Sequence, residues 1–388
     1  MKTVKNIEDE YLGFEQGPIR PPSEANSLLI RVTRNCPWNR CTFCPVYKGS
    51  RFSLRSVDHV IKDIDLLHRL IVMMKEAGEK TGYINREEIS RKARNLNSNE
   101  LQAFHAAFNW MAAGMESVFI QDANSLIIKP SDLIKILKHL KDRFPWIKRI
   151  TSYARSHTIA RIKDEDMRAI GDAGLNRIHI GLESGADAVL KMVKKGSTQE
   201  VHIKAGLKVK KAGIELSEYV MPGLGGKALS IVHAVETADA LNIINPEFIR
   251  LRTLAIPNSV ELFKEYESKR FEKCTDLMMA EEILLFLETL DGITSTIKSD
   301  HILNLFEEIE GRLPDEKEKM LAVLREFLSM PPERQMLYQV GRRLGFFSRL
   351  KDLENSQAAS KAEETCRQLG ITPENVDATI DELMKRFI

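Results

Sequence analysis

Short apolar or β-branched runs recur along the chain from Ser27 onward: SLLIRVT (27–33), SVFIQ (117–121), RITSY (149–153), RIHIG (177–181), ELSEYVM (215–221) and FIRLRTL (248–254). Their length and residue types predict six strands. Amphipathic segments of helical period lie between them, such as SDLIKILKHLKDRF (131–144), with a Ser or Asp cap, and STQEVHIKAGLKVKKAG (197–213). Strands alternating with helices predict parallel βαβ units, because parallel neighbours need a crossover. The stretch from Ser27 to Ser117 is long enough for roughly two such units. Its excess, about 57–116, reads as long helices around a polar link near EKTGYINREE. The first 26 residues, with prolines at 18, 21 and 22, read as an extended surface segment. Beyond Pro257 the strand rhythm stops, and 257–388 reads as helical, with segments such as AEEILLFLETL and PDEKEKMLAVLREFLSM.

Composition narrows the class. At 388 residues, 43% hydrophobic and 29% charged, the chain can bury a large core. A formal charge of +2 is too small for an overall nucleic-acid or anionic-membrane footprint. No uncharged apolar run approaches the length of a membrane span, and the start, MKTVKNIEDEYLGF, carries acidic residues where a signal peptide needs an apolar stretch. A cytoplasmic protein is expected. Of five cysteines, Cys36, Cys41 and Cys44 fall within nine positions, whereas Cys274 and Cys366 stand apart and read as buried small hydrophobes.

The cluster CPWNRCTFC follows the first strand at its carboxyl end, where α/β sheets place their chemistry. Three thiolates on one loop suit three irons of a cubane, leaving the fourth iron open to an exogenous ligand. Zinc would want a fourth protein ligand, and the nearest imidazoles, His59 and His68, sit in a predicted helix away from knuckle spacing. The zinc reading stays open as the alternative, that of a metal-stabilised binding or regulatory protein, zinc-bearing or with a non-catalytic iron–sulfur cluster. The loop, with aromatic Phe43 before its last cysteine, resembles the cluster loop of the radical S-adenosylmethionine (SAM) superfamily. Its spacing is CxxxxCxxC, one residue longer than the usual CxxxCxxC. The resemblance covers about 27–256. It implies a partial (β/α)6 TIM-type barrel with a helical insertion after strand 1 and a helical C-terminal region. It also implies one [4Fe–4S] cluster on Cys36, Cys41 and Cys44, and reductive cleavage of SAM to a 5′-deoxyadenosyl radical that abstracts hydrogen from an unidentified organic substrate.

Other segments add to the resemblance. Gln121-Asp122-Ala123-Asn124 occupies the place of the family's segment that meets the methionine amino group, so Asp122 and Asn124 are candidate SAM contacts. A polar βα turn with an Asx cap explains the same residues equally well. Gly181-Leu182-Glu183-Ser184-Gly185 resembles the GLESG segment of the Elp3, MiaB and HemN-like branch, which implicates Glu183 and Ser184 in the SAM pocket. Met221-Pro222-Gly223-Leu224-Gly225-Gly226 is similar to the loop near adenine and ribose, through Gly223. Arg155, Arg250 and Arg252 are candidates for SAM's carboxylate or an anionic substrate, or equally for solvated charges. The lysines of 191–211 read as a solvated helix face. The implied partners are a small-molecule or biosynthetic-intermediate substrate and a reducing electron donor such as flavodoxin or ferredoxin. The helical insertion and the 257–388 region are the expected places for substrate or partner recognition.

Overall fold

The computed structural model describes residues 10–79, 91, 93–94 and 96–384. The polar link predicted near 79–88 falls almost wholly outside them. The chain forms two compact units: 1–39, 46–180 and 208–216 in the first, and 40–45, 181–207 and 217–388 in the second.

The first unit holds β1 (Leu28–Arg31), β2 (Thr33–Arg34), β3 (Ser53–Leu54), β4 (Ser117–Gln121), β5 (Arg149–Ala154) and most of β6 (Arg177–Glu183). β1 pairs with β4, β4 with β5 and β5 with β6, all parallel. The run SLLIRVT is therefore not one strand. It stops at Arg31, and Thr33–Arg34 turn away to pair antiparallel with Ser53–Leu54. Val118, Phe119 and Ile120 are all fully buried, which accounts for an uninterrupted apolar run where a half-exposed strand would alternate. The helix Val57–Glu79 buries Val60, Ile64, Leu67 and Ile71 at helical spacing, and Pro130–Arg143 buries Leu133, Ile136, Leu137 and Leu140. At roughly 1.5–3 kcal/mol per buried aliphatic side chain, these stripes outweigh the helices' own propensities. Asn97 caps the helix Ser98–Ala112, accepting from the backbone of Asn99 and Glu100, while Glu100 accepts from the backbone of Asn97.

β6 carries the chain into the second unit. There β7 (Glu215–Val220) pairs parallel with β8 (Phe248–Leu251), and β8 with β9 (Thr296–Lys298); β10 (Gly311–Arg312) pairs antiparallel with β9. The region after Pro257 is thus not purely helical. β9 and β10 have three and two residues, too short to carry a period of two. The helices Glu261–Glu267, Asp276–Thr289, Lys317–Ser329, Pro332–Arg343, Ser356–Leu369 and Val376–Met384 make up most of the rest. All six expected strands are present and the sheet is mostly parallel, which defines an α/β protein. No helix among the described residues is long and apolar enough to cross a membrane.

Candidate active site

None of the three clustered cysteines is in a disulfide, and all are partly exposed. Cys36 lies in the first unit, and Cys41 and Cys44 in the second. The start of the loop is held by Asp122, whose carboxylate is fully buried. Its Oδ2 accepts from Arg31 Nη2 at 2.7 Å, Arg31 Nε at 3.1 Å and the backbone N–H of Asn35 at 3.2 Å, and its Oδ1 accepts from the Tyr47 hydroxyl. Burial and the Asp122 charge together push the Tyr47 phenol far above its ordinary range, so it stays a donor. Asn35 and Asn39 both take left-handed backbone, at φ 67° and 47°, a conformation asparagine tolerates better than most residues. Asn39 donates its backbone N–H to Cys36 Sγ at 3.4 Å and its side-chain amide to Tyr47 O at 2.6 Å. The loop thus reverses at Asn39, inside its lengthened first spacer. An N–H donated to a cysteine sulfur is the kind of hydrogen bond that tunes an iron–sulfur ligand.

In the second unit, Thr42 donates its N–H to Val193 O at 3.0 Å and accepts at its carbonyl from Leu262 N at 2.9 Å. Phe43 is buried in an apolar cluster with Ala186, Val193, Met221 and Leu262, against which Cys41 and Cys44 pack. A reactive cluster needs such a shell, because water competes for its open coordination position. The donor set, three thiolates on one short loop with an apolar backing, fits a [4Fe–4S] cluster. Among the described residues, no three His, Cys, Asp or Glu side chains are disposed to hold a single metal ion.

The GLESG segment closes β6. Glu183 takes left-handed backbone, φ 64°, and its Oε1 accepts from Lys195 Nζ at 3.0 Å, with both side chains nearly buried. Lys195 also lies 5.9 Å from the centre of the Phe43 ring. A Cβ on Gly181 would meet Lys195 Nζ at 3.0 Å and overlap Glu183 Oε1, so the first glycine makes room for this ion pair. A Cβ on Gly185 would lie 2.7 Å from Thr237 Cα and overlap Glu236 O, so the second lets the backbone press against the helix Gly226–Ile244. That contact is fixed by Gly185 N–H donating to Thr237 Oγ1 at 2.8 Å.

The same helix ties GLESG to the MPG loop. His233, buried, has Nε2 3.0 Å from Met221 O and Nδ1 2.8 Å from Ser184 Oγ. A carbonyl only accepts, so Nε2 donates to Met221 O. Glu282 accepts from Gly223 N at 2.7 Å and from the Ser230 hydroxyl at 2.5 Å. Neither His233 nor Glu282 stands out in the sequence, since both fall inside helical apolar patterns.

The remaining candidates have structural partners. Asn124 is buried, donates to Thr158 Oγ1 at 2.9 Å and accepts from Arg155 N at 2.9 Å, so it ends β4 and starts the next turn. The Arg155 guanidinium sits 5.0 Å from the Trp38 ring centre, over the cysteine loop's own tryptophan. Arg250 is buried, paired with Asp300 at 2.6 Å and donating to Ser217 at 3.2 Å. Arg252 lies past the end of β8 and is exposed. Burial, and then its guanidinium, push the His301 imidazole down to about 4. Cys274 and Cys366 are buried, and burial pushes the Cys274 thiol up to about 12. Lys195, at 12% exposure, does not belong to a solvated face. β6 turns left-handed at Glu183 just where its carboxylate meets the Lys195 ammonium.

The profile of the radical SAM superfamily matches residues 30–238. The chain belongs to that superfamily, whose enzymes use a [4Fe–4S] cluster and SAM. Among curated proteins, it is 28% identical over 196 residues to 4′-phospho-dehydrooxetanocin synthase of Priestia megaterium, a stretch covering 49% of this chain and 22% of that protein. The chain thus spans about a fifth of that relative's length. Similar solved structures include Elp3 of Methanocaldococcus infernus (15% identity, TM-score 0.41, 52% of this chain and 53% of that one). They also include coproporphyrinogen III oxidase, HemN, of Escherichia coli (13%, TM-score 0.44, 68% and 52%) and the cobalamin-dependent enzyme OxsB (15%, TM-score 0.44, 92% and 54%).

Proposed function

We infer that this radical SAM enzyme holds its cluster on Cys36, Cys41 and Cys44 and uses it to cleave SAM reductively, abstracting hydrogen from a small organic substrate. The observation that carries this reading is the short loop of three cysteines, none of them in a disulfide, in a chain of this superfamily. When bound, the cluster and SAM supply a 5′-deoxyadenosyl radical. The chain's own residues do the rest. Asp122 and Tyr47 fix the start of the loop, and Phe43 with its apolar neighbours gives Cys41 and Cys44 an apolar backing. Glu183, Ser184, Gly223, Arg155 and Arg252 are the proposed SAM contacts, with Asp122 and Asn124 acting through the loops they hold. The electron arrives from a reduced protein donor of the flavodoxin or ferredoxin type.

Anaerobic reconstitution tests the assignment. About four irons per chain are expected, with 5′-deoxyadenosine formed from SAM and dithionite. Cys36→Ala, Cys41→Ala and Cys44→Ala each lose iron while keeping a wild-type far-UV spectrum. One tightly bound zinc per chain, with no iron uptake, overturns the reading in favour of a metal-stabilised binding protein.

A further inference from the structure

Glu218 stands in the middle of β7, fully buried, and neither of its carboxylate oxygens has a hydrogen-bond partner among the described residues. An unpartnered buried carboxylate costs several kcal/mol, so its place in a strand interior calls for a compensating role. The charged groups that act on it are Lys195 and Glu183. These two are already bonded to each other, Lys195 Nζ to Glu183 Oε1 at 3.0 Å, in a nearly buried pair. With all three ionised, these groups together carry two negative charges and one positive. Lys195 Nζ also lies 5.9 Å from the centre of the Phe43 ring, in the apolar cluster against which Cys41 and Cys44 pack.

We propose that Glu218 is the carboxylate that balances a single positive charge on the bound ligand, the sulfonium of SAM, beside the Lys195–Glu183 pair. This rests on the reading of the chain as a SAM-binding enzyme. Without ligand, burial holds the Glu218 carboxyl protonated well above its ordinary range, an effect that Glu183 reinforces and Lys195 opposes. Arrival of a fixed cation ionises it, and the proton passes to the buffer.

The test is calorimetry on the anaerobic, cluster-loaded protein without reductant, so that SAM stays intact, near neutral pH in buffers of different ionisation enthalpy. S-adenosylhomocysteine has the same amino, carboxylate and nucleoside groups but a neutral thioether, so the difference between the two ligands isolates the sulfonium. Wild-type protein is expected to release about one more proton with SAM than with S-adenosylhomocysteine. In Glu218→Gln the two ligands release equally, and SAM binds roughly tenfold or more weakly while S-adenosylhomocysteine is little changed. Equal proton release for both ligands in the wild type overturns the proposal without touching the SAM-binding reading, and needs no variant to fold. Unchanged SAM affinity in a folded Glu218→Gln also overturns it. Failure of the wild type to bind SAM at all overturns both.

Discussion

At the scale of single residues, charge placement in and around the pocket gives the sharpest expectations. Burial raises the Glu218 carboxyl above its ordinary 4.5 in the folded protein. Between that value and the raised one, the folded state binds more protons than the unfolded chain, so this residue's contribution to stability falls as pH rises. Glu218→Gln removes that slope. Urea unfolding of variant and wild type should agree in slope below about pH 4.5, and the variant should gain relative stability as pH climbs until the folded carboxyl has ionised. A gap that does not vary with pH contradicts the buried assignment. Asp122 works in the opposite sense, since it is buried but amply paired. Asp122→Asn takes from the Arg31 guanidinium its buried carboxylate and leaves it only Glu15 as an ionic partner, for an expected cost of about 2 kcal/mol in urea unfolding, with poorer iron retention because the hold on Asn35 weakens. The sequence places a glutamate inside the run ELSEYVM, and a charged residue in a strand interior is a visible anomaly. What the sequence hides is that Asp122 and Asn124 spend their oxygens on the protein itself, because those partners lie about 30 to 90 residues away in the chain.

At the scale of elements, the six main strands are legible because each is a run of four or more residues rich in buried aliphatic or β-branched side chains. β9 and β10 are not, since three and two residues carry no period. The helix Gly226–Ile244 shows a subtler limit. Its sequence reads as an ordinary apolar helix, yet it supplies Ser230, His233 and Thr237, three polar side chains that engage GLESG, the MPG loop and Glu282. Only the spacing of 230, 233 and 237, one face of a helix, hints at a common job. His233→Ala removes one of two hydrogen bonds from both the Ser184 hydroxyl and the Met221 carbonyl, which keep Ala186 N–H and Leu224 N–H, and empties a buried site, for a cost of roughly 1–3 kcal/mol. The expected result is a lower unfolding midpoint and weaker SAM binding, with iron content near wild type because no cysteine contact is lost. Loss of iron with SAM affinity preserved would show that this helix serves the cluster and not the pocket loops.

At the scale of the whole molecule, the segment after Pro257 is part of the structure that backs the cysteine loop. Val260, Leu262 and Phe271 belong to the same apolar cluster as Phe43, and Leu262 N–H donates to Thr42 O between Cys41 and Cys44. Gly223 N–H is satisfied by Glu282, and β9 continues β8. A chain ending at residue 256 therefore strips apolar side chains from around Phe43, opens the β8 edge and leaves the MPG loop's amide unpaired. Each buried aliphatic or aromatic side chain lost removes roughly 1.5–3 kcal/mol, and three or four such losses approach the whole stability of a typical domain. Residues 1–256 expressed alone are expected to be insoluble or to fail to retain iron, even though all three cysteines and all six main strands are present. Coexpression of 257–388 as a separate chain should restore part of the iron uptake if the deficit is packing. A soluble 1–256 fragment that takes up about four irons and binds SAM like the full chain would instead make the C-terminal region a detachable module, concerned with substrate or partner alone.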